Sequence, residues 1–345
     1  MKNVFYLKAI QEALIEEIER DPSVFLMGED IGEYGGCFGV TRGMLKTFGS
    51  KRVVDLPMSE TSFMGMAVGA AITGLRPIVE IMFMDFITLS SDAIINHAIK
   101  LRYIFGGGVK VPLVIRAPSG AGKRYGSSHS QSLESLFMNF PGLKIVAPST
   151  PADAKGLLKS AIRDDNPVLF IENKGLYWTK GNIPESECLI PIGVANIRRE
   201  GCDVTIATYS RMVDLALEAA QDLATEGIHV EVLDLRSLAP LDTDTLFNSV
   251  SKTGRLVTLE EGYLPTGVGA ELSSLVVEHL FSRLKSPIYR IACEAVPIPY
   301  SPVLEDLAIP SKDKVIATIK KSCNFQSNTI YVRNKWNHQE HRMDI

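Results

Sequence analysis

Three side chains able to take part in chemistry follow successive apolar runs of the sequence: the carboxylate of Glu60, the ring of Phe86 and the imidazole of His129. Glu60 comes after Val53–Leu56, Phe86 after the next run, and His129 lies in a Gly- and Ser-rich loop beyond Leu113–Arg116. A carboxylate can fix the protonation of a ligand ring nitrogen, an aromatic ring can stack on a planar ligand, and an imidazole can exchange protons near neutral pH. The pattern predicts an active site built from loops at strand ends.

Each of these side chains also has an ordinary structural explanation. Glu60 could simply favour the dipole at the start of the Gly- and Ala-rich helix that follows it. Phe86 could belong to a hydrophobic core, and His129 could lie on the surface of a polar loop. The joint occurrence of the three, rather than any one of them, indicates a site.

The elements that must position these residues are short apolar runs alternating with helix-like segments. The predicted strands of the first half are Val24–Met27, Val53–Leu56, Pro77–Ile81, Leu113–Arg116, Lys144–Ala147 and Val168–Glu172. The predicted helices are Tyr6–Arg20, Ser62–Thr73, Phe86–Arg102 and Pro151–Arg163. Apolar runs in which apolar and polar residues do not strictly alternate are typical of strands buried on both faces. We therefore expect an α/β fold with doubly wound, mostly parallel sheets.

A chain of 345 residues predicts two domains. Residues 1–180 form the predicted first domain, 181–199 a Pro- and Gly-punctuated linker, 200–323 a smaller doubly wound domain and 324–345 a disordered tail. The strands predicted in the second domain are Val204–Tyr209, Val230–Asp234, Leu256–Glu260 and Ile288–Ile291. Its predicted helices are Val213–Thr225, Asp242–Val250, Val268–Leu280 and Asp313–Lys321.

The composition argues against several classes of protein. Charged residues make up 22% of the chain and the net charge is −4, so a nucleic-acid partner is not expected. No apolar run approaches membrane-spanning length, and the first residues lack the apolar core of a signal peptide. The five cysteines have no CxxC spacing, so neither a zinc site nor a redox pair is predicted.

Four longer motifs stand out: Gly28-Glu-Asp-Ile-Gly, Ser59-Glu-Thr-Ser-Phe-Met-Gly-Met-Ala-Val-Gly-Ala-Ala, His129-Ser-Gln-Ser-Leu-Glu and Pro141-Gly-Leu-Lys-Ile-Val-Ala-Pro. Together they resemble the beta subunits of thiamine-diphosphate-dependent 2-oxoacid dehydrogenases, from about residue 4 to residue 322. Within that family the chain is most similar to pyruvate dehydrogenase beta subunits of cyanobacterial and plastid type, and acetoin and branched-chain relatives share most of the motifs. The resemblance implies a transketolase-like pyrimidine-binding domain followed by a transketolase C-terminal-like domain.

The resemblance also implies roles for the three side chains. Glu60 matches an acid that hydrogen-bonds the aminopyrimidine ring of thiamine diphosphate and so activates this cofactor. Phe86 matches the aromatic residue that packs on the same ring. His129 matches a histidine of the substrate channel, which assists acyl transfer to a lipoyl group or orients the substrate. The implied reaction is oxidative decarboxylation of pyruvate with transfer of the acetyl group toward acetyl-CoA.

A further set of positions matches residues that hold a structural potassium ion in relatives. This potassium set comprises Leu113, Ala161, Ile162, Asp164 and Asn166. Backbone carbonyls and one carboxylate would suit a singly charged cation. An ordinary helix end, with Asp164 and Asn166 as turn residues, explains the same pattern, and both interpretations stay open.

One part of the site implied by the resemblance has no counterpart in this sequence, and it implies a partner. The chain contains no Gly-Asp-Gly motif of the kind that holds the diphosphate and its magnesium in this superfamily. We therefore expect an alpha subunit to supply that part of the site in an α2β2 heterotetramer, and a lipoyl-bearing acyltransferase to receive the acyl group. The Gly and Ala side of Ser62–Ala71 is a candidate contact for this assembly. The expected compartment is a bacterial cytoplasm or a plastid stroma.

Two other functions remain as alternatives. The chain could be one half of a transketolase-like synthase, or a non-catalytic subunit whose fold serves assembly alone. The presence of Glu60, Phe86 and His129 together argues against the non-catalytic alternative.

Overall fold

The computed structural model of the protein describes residues 1–325. Residues 326–345, which make up most of the predicted tail, lie outside the described part. The first elements in chain order are β1 (Lys2–Phe5), α1 (Tyr6–Arg20), β2 (Val24–Glu29), α2 (Met44–Phe48), β3 (Val53–Leu56), α3 (Glu60–Ile72), β4 (Arg76–Glu80), a 3-10 segment (Met84–Ser90), a π-helical segment (Ala93–Ala98), α4 (Ile99–Ile104), β5 (Val114–Ser119), α5 (Glu134–Met138), β6 (Lys144–Val146), α6 (Pro151–Arg163), β7 (Val168–Asn173) and β8 (Lys180–Ile183).

The remaining elements form the second domain. They are β9 (Asn196–Arg199), β10 (Val204–Thr208), α7 (Met212–Ala224), β11 (Val230–Asp234), β12 (Ser237–Ala239), α8 (Thr243–Thr253), β13 (Leu256–Tyr263), α9 (Val268–Leu280), a 3-10 turn (Phe281–Arg283), β14 (Tyr289–Cys293), α10 (Pro302–Ala308) and α11 (Lys312–Cys323). In the described part of the chain no helix has both the length and the apolar character needed to cross a membrane.

Two mostly parallel sheets organise these elements. The first has seven strands in the order β12-β6-β7-β5-β4-β2-β3, and only β12 is antiparallel to its neighbour. The second has five strands in the order β14-β13-β10-β11-β9, with β9 antiparallel. Helices flank both sheets, so the predicted fold class is confirmed. The strand β12 belongs in sequence to the second domain yet completes the edge of the first sheet, which ties the two domains together.

The region predicted as one helix, Phe86–Arg102, is helical but interrupted. It is divided into the 3-10 segment, the π-helical segment and α4. Side-chain hydroxyls here take up backbone carbonyls that a regular helix would use for its own hydrogen bonds. Thr88 Oγ1 donates to the Asp85 carbonyl at 3.0 Å, and Ser91 Oγ donates to the Ile87 carbonyl at 3.3 Å. Such irregular turns are frequent near functional sites.

Residues 181–199, predicted as a linker, contain most of the short strand β8 and all of β9. β8 pairs with β1, and β9 adds an antiparallel edge to the second sheet, so five strands and not the predicted four form that sheet. Strands this short leave too few residues for a periodic pattern, and their pairing is decided by distant partners.

The helix α6 has the bounds that its local signals predict. The Thr150 side chain accepts a hydrogen bond from the Asp153 N–H at 3.1 Å, and proline occupies the first turn. The buried face of α6 packs toward α1, where Lys155 Nζ lies 2.5 Å from the Glu16 carboxylate. These elements cover the sheet on the side away from α3.

Candidate active site

The strand order brings the three predicted residues to one edge of the first sheet. The strands β5, β4, β2 and β3 are neighbours in that order and run parallel. His129 follows β5, Phe86 follows β4 and Glu60 follows β3. Because the carboxyl ends of parallel strands lie at the same edge, the three side chains share the usual location of a ligand site in this architecture.

Glu60 is the first residue of α3 and is only 7% exposed. The N-cap is Ser59, whose side chain makes no capping hydrogen bond. Within residues 1–325 the Glu60 carboxylate accepts no hydrogen bond, while its main-chain carbonyl accepts a hydrogen bond from Ser90 Oγ at 2.9 Å. That bond fixes the start of α3 against the 3-10 segment that carries Phe86. A buried carboxylate without a donor is costly in free energy and is available to a ligand.

A second buried carboxylate, Glu29, ends β2 between the strands that precede Glu60 and Phe86. Glu29 is 5% exposed, and its Oε1 has no hydrogen-bond partner among the described residues. Burial and, second, the charge of Glu60 raise the pKa of the Glu29 carboxyl. Two buried acids whose charges repel each other favour a proton or a cationic group beside them. Glu29 is not among the predicted site residues, although its place directly after an apolar strand points to it.

The rings of Phe86 and His129 are in contact. Their centroids lie 5.3 Å apart with the planes at 86°. Phe83 also meets the His129 ring edge to face, at 4.7 Å. Phe86 and His129 are both half-buried, so neither a core position for Phe86 nor a surface position for His129 describes the residue fully. Ser128 Oγ lies 2.8 Å from His129 Nδ1, so Nε2 is the ring nitrogen that makes no hydrogen bond to residues 1–325.

Lys174, directly after β7, is a buried cation beneath His129. Its ammonium donates a hydrogen bond to the His129 main-chain carbonyl and lies 5.2 Å from the centroid of the Phe83 ring and 5.6 Å from that of Tyr125. Lys174 is 1% exposed, and burial lowers its pKa to about 8, although Asp85 and other acids oppose the shift. Lys174 is also absent from the predicted site. A lysine at the end of an apolar strand is the signal that could have identified it.

The potassium set lies together where α6 ends before β7, beside the start of β5. The Asp164 carboxylate accepts hydrogen bonds from Lys144 Nζ and, at 2.9 Å, from the Asn166 N–H, which is the turn expected of an ordinary helix end. Arg76 donates to the carbonyls of Ile162 and Asp164 at 2.9 and 2.7 Å. These carbonyl oxygens each keep a second lone pair. Within residues 1–325 no group of three or more His, Cys, Asp or Glu side chains is arranged to hold a metal ion.

Two cavities lie away from the three predicted side chains. One of about 1120 Å³ lies between the domains and is lined by Leu136 and Tyr263 among others. A second of about 450 Å³ is lined by Asp153 and Arg198 among others. Glu60, Phe86 and His129 line neither cavity, so the candidate site is defined by the chemistry and burial of its side chains and not by these enclosures.

The arrangement fits a planar ligand with a ring nitrogen that takes a proton. Glu60 offers a carboxylate that accepts no hydrogen bond from residues 1–325, Glu29 adds negative potential, and Phe86 and His129 offer half-buried rings. These residues fit the pyrimidine end of thiamine diphosphate. The described residues offer no matching cluster for a metal ion at the diphosphate end.

Comparison with known proteins identifies the family of the chain. Residues 2–179 match the family described as the transketolase pyrimidine-binding domain, and residues 193–315 match the transketolase C-terminal domain. The chain is 48% identical over 318 residues to the pyruvate dehydrogenase E1 component subunit beta of Rickettsia felis, covering 92% of this chain and 98% of that one. It is 48% identical over 330 residues to the protein of the same name from Porphyra purpurea, covering 96% and 99% of the two chains.

One further relative and one solved structure are also similar to the chain. The subunit beta of acetoin:2,6-dichlorophenolindophenol oxidoreductase from Cupriavidus necator is 48% identical over 324 residues, covering 91% of this chain and 96% of its own. A solved structure described as a split-gene transketolase, an inactive beta4 tetramer, shares the fold with a TM-score of 0.77 at 23% identity, covering 93% of this chain and 98% of that one. The chain therefore belongs to the family of pyruvate dehydrogenase E1 beta subunits and their acetoin-oxidising counterparts, which are built from the pyrimidine-binding and C-terminal domains of transketolase.

Proposed function

We propose that the chain is the beta subunit of a pyruvate dehydrogenase E1 component, which uses thiamine diphosphate to decarboxylate pyruvate and passes the acetyl group to a lipoyl group. One observation carries the proposal. A chain that is 48% identical to a pyruvate dehydrogenase E1 beta subunit over 92% of its length also gathers Glu60, Phe86 and His129 at one edge of a parallel sheet.

In this proposal each side chain acts on a separate part of the chemistry. Glu60 accepts a hydrogen bond from the protonated ring nitrogen of the aminopyrimidine, and Glu29 nearby keeps that edge of the site negative. Phe86 packs on the ring and fixes its plane. His129, through Nε2, orients the substrate or assists transfer to the lipoyl group. Thiamine diphosphate, when bound, supplies the electron sink that makes loss of carbon dioxide feasible.

An alpha subunit completes the site in this proposal and brings the magnesium ion with the diphosphate end. The exposed side of α3 supports such an assembly. Apart from the chain neighbours and the backbone of the helix itself, no described atom lies within 4 Å of where a Cβ would stand on Gly65 or Gly69. The nearby apolar side chains Met58 and Met66 are 83% and 56% exposed. A flat, small-residue face flanked by exposed methionines suits close contact with another subunit.

The potassium set remains a proposal of the same kind, with Asp164 as its one carboxylate. Hydrogen bonds from Lys144 and Asn166 outweigh burial and lower the pKa of Asp164, so the carboxylate stays ionised. We expect potassium chloride, compared with tetramethylammonium chloride at equal ionic strength, to raise the melting temperature of the chain. Asp164→Asn is expected to abolish that difference, whereas Asp222→Asn on the distant surface leaves it. Equal melting temperatures in the two salts would remove the ion from the proposal.

The test of the function is turnover by the full chain purified with its alpha subunit. Carbon dioxide release from pyruvate is compared with release from branched-chain 2-oxoacids, with and without thiamine diphosphate. Pyruvate is expected to be preferred, and release is expected to require the cofactor and the alpha subunit. Turnover of pyruvate by this chain alone would contradict the partner requirement, and no release from any 2-oxoacid would contradict the function.

Oxidation of acetoin is the second candidate, because the Cupriavidus necator relative is as similar as the pyruvate dehydrogenase subunits. Reduction of an artificial electron acceptor with acetoin, measured on the same preparation, separates the two. A higher kcat/KM for acetoin than for pyruvate would assign the chain to the acetoin group.

Location in a bacterial cytoplasm or a plastid stroma and transfer to a lipoyl-bearing acyltransferase follow from the pyruvate assignment.

A further inference from the structure

We refer to residues 120–130 as the His129 loop. Its backbone enters the left-handed region at four positions: Gly120 (φ 97°), Gly122 (φ 84°), Arg124 (φ 63°) and Gly126 (φ 73°). A residue other than glycine in this region costs about 1–2 kcal/mol. Within the loop, the one main-chain bond to His129 is long, from its N–H to the Gly126 carbonyl at 3.4 Å. The loop therefore needs contacts from outside to keep its shape.

Two buried carboxylates of the second domain provide these contacts. Glu305, on α10 and fully buried, accepts hydrogen bonds from the Gly122 N–H at 2.8 Å and from the Arg124 N–H at 3.2 Å. The guanidinium of Arg124 donates to the same carboxylate at 2.6 Å. Glu261, on β13, accepts a hydrogen bond from the Ala121 N–H at 2.8 Å. Three backbone amides of the loop thus point at acids of the other domain.

The dependence between Glu305 and the His129 loop is mutual. Among the described residues, every hydrogen bond to the Glu305 carboxylate comes from Gly122 or Arg124. A buried carboxylate is stable only when donors replace its water, so Glu305 needs the loop in this conformation. The strained backbone at Arg124 is offset by the same bonds. Closing this contact selects one conformation of the loop.

We propose that Glu305 is a positioning residue for His129. It holds the start of the His129 loop from the second domain, so that the imidazole meets Phe83 and Phe86 at the active-site edge. The C-terminal domain thereby sets the geometry of a side chain that belongs to the pyrimidine-binding domain. The effect on catalysis rests on the proposed function, whereas the effect on the loop does not.

The first test measures the loop directly. Hydrogen–deuterium exchange is followed on the full chain for the wild type, Glu305→Ala and Glu305→Gln. Peptides covering the His129 loop are expected to exchange at least about tenfold faster in Glu305→Ala, with an intermediate effect in Glu305→Gln, which keeps one acceptor. Peptides of β5 and β7 should be unchanged. Glu226→Gln, on the exposed pair with Lys320, is the matched control. Unchanged exchange in the loop of both Glu305 variants would overturn the proposal.

The second test asks whether Glu305 acts through His129. Transfer of the acetyl group to a lipoyl domain is measured for Glu305→Gln, His129→Ala and the double variant. A misplaced side chain is expected to lower kcat by about tenfold to a hundredfold with little change in KM. The double variant should then be no slower than His129→Ala alone. If the rate losses of the two single variants multiply in the double variant, Glu305 does not act through His129. A normal rate in Glu305→Gln alongside faster loop exchange would also contradict the link to His129. If the wild type turns over no 2-oxoacid, the proposed function fails while the exchange result still decides the loop.

Discussion

At the scale of the residue, Glu60 is the side chain whose replacement should separate chemistry from folding. Glu60→Gln keeps the shape but loses the negative charge that favours a protonated ring nitrogen, so kcat is expected to fall by about 10²–10⁴-fold. The melting temperature of the complex should change little. The pKa of Glu29 should fall, because the charge of Glu60 helps to raise it. Carboxyl NMR titration measures that shift, and near-normal turnover would exclude the assigned role.

Lys174 makes a pH-dependent contribution to stability. Burial lowers its pKa to about 8 in the folded chain, while an unfolded lysine titrates near 10.4. Between these pH values the unfolded chain binds more protons, so the contribution of Lys174 to the free energy of unfolding rises from pH 8 to pH 10, by no more than about 3 kcal/mol. Below pH 8 it is constant.

The variant Lys174→Met removes this contribution. Urea unfolding of the wild type and the variant at pH 7, 8, 9 and 10 is expected to show a difference that grows with pH in favour of the wild type. Lys123→Met, an exposed lysine in the His129 loop, should track the wild type. A difference that stays constant over this pH range would mean that Lys174 is not titrating in the folded chain.

At the scale of the element, buried charges tie three neighbouring strands together beneath the site. Arg116 on β5 donates to Glu172 on β7 at 2.6 and 2.9 Å and to Glu80 on β4 at 2.6 Å, and it is 1% exposed. Arg116→Met would leave both carboxylates buried without their cation, so the free energy of unfolding should fall by about 3–5 kcal/mol. Denaturant unfolding measures the loss. The exposed Arg283→Met should cost less than about 0.5 kcal/mol, and an equally small loss at Arg116 would show that the network is not needed for stability.

At the scale of the whole molecule, one substitution on the open face of α3 should have opposite effects on the stability of the isolated chain and on its assembly with the alpha subunit. Gly65 is exposed in the middle of a helix, and beyond that helix's own backbone no described atom lies within 4 Å of its missing Cβ, so Gly65→Leu should leave the isolated chain as stable or more stable, by up to about 1 kcal/mol. The added side chain should weaken assembly with the alpha subunit at least about tenfold. Sedimentation of the mixed subunits measures this, and Glu19→Leu on the exposed side of α1 is the control. Unimpaired assembly would move the contact to another face.

Much of the fold could be predicted because its signals are local. The helices Tyr6–Arg20, Pro151–Arg163 and Val268–Leu280 have the predicted bounds, since apolar spacing, a Thr cap and a proline in the first turn act within a few residues. The parallel strands were equally visible as apolar runs. The short strands β8, β9 and β12 were not, because each exists only through a partner far away in the chain.

The candidate site likewise consists of residues that the sequence identified and residues that only the tertiary structure placed there. The sequence by itself determined the family, the two doubly wound domains and the three side chains Glu60, Phe86 and His129 at the ends of strands. The tertiary structure decided that Glu29 lies beside Glu60, that Lys174 lies beneath His129, and that Glu305 holds the His129 loop across 183 residues of chain. The physical reason is that burial and hydrogen-bond partnership are properties of neighbours in space, and no local pattern records which distant backbone a buried charge will meet.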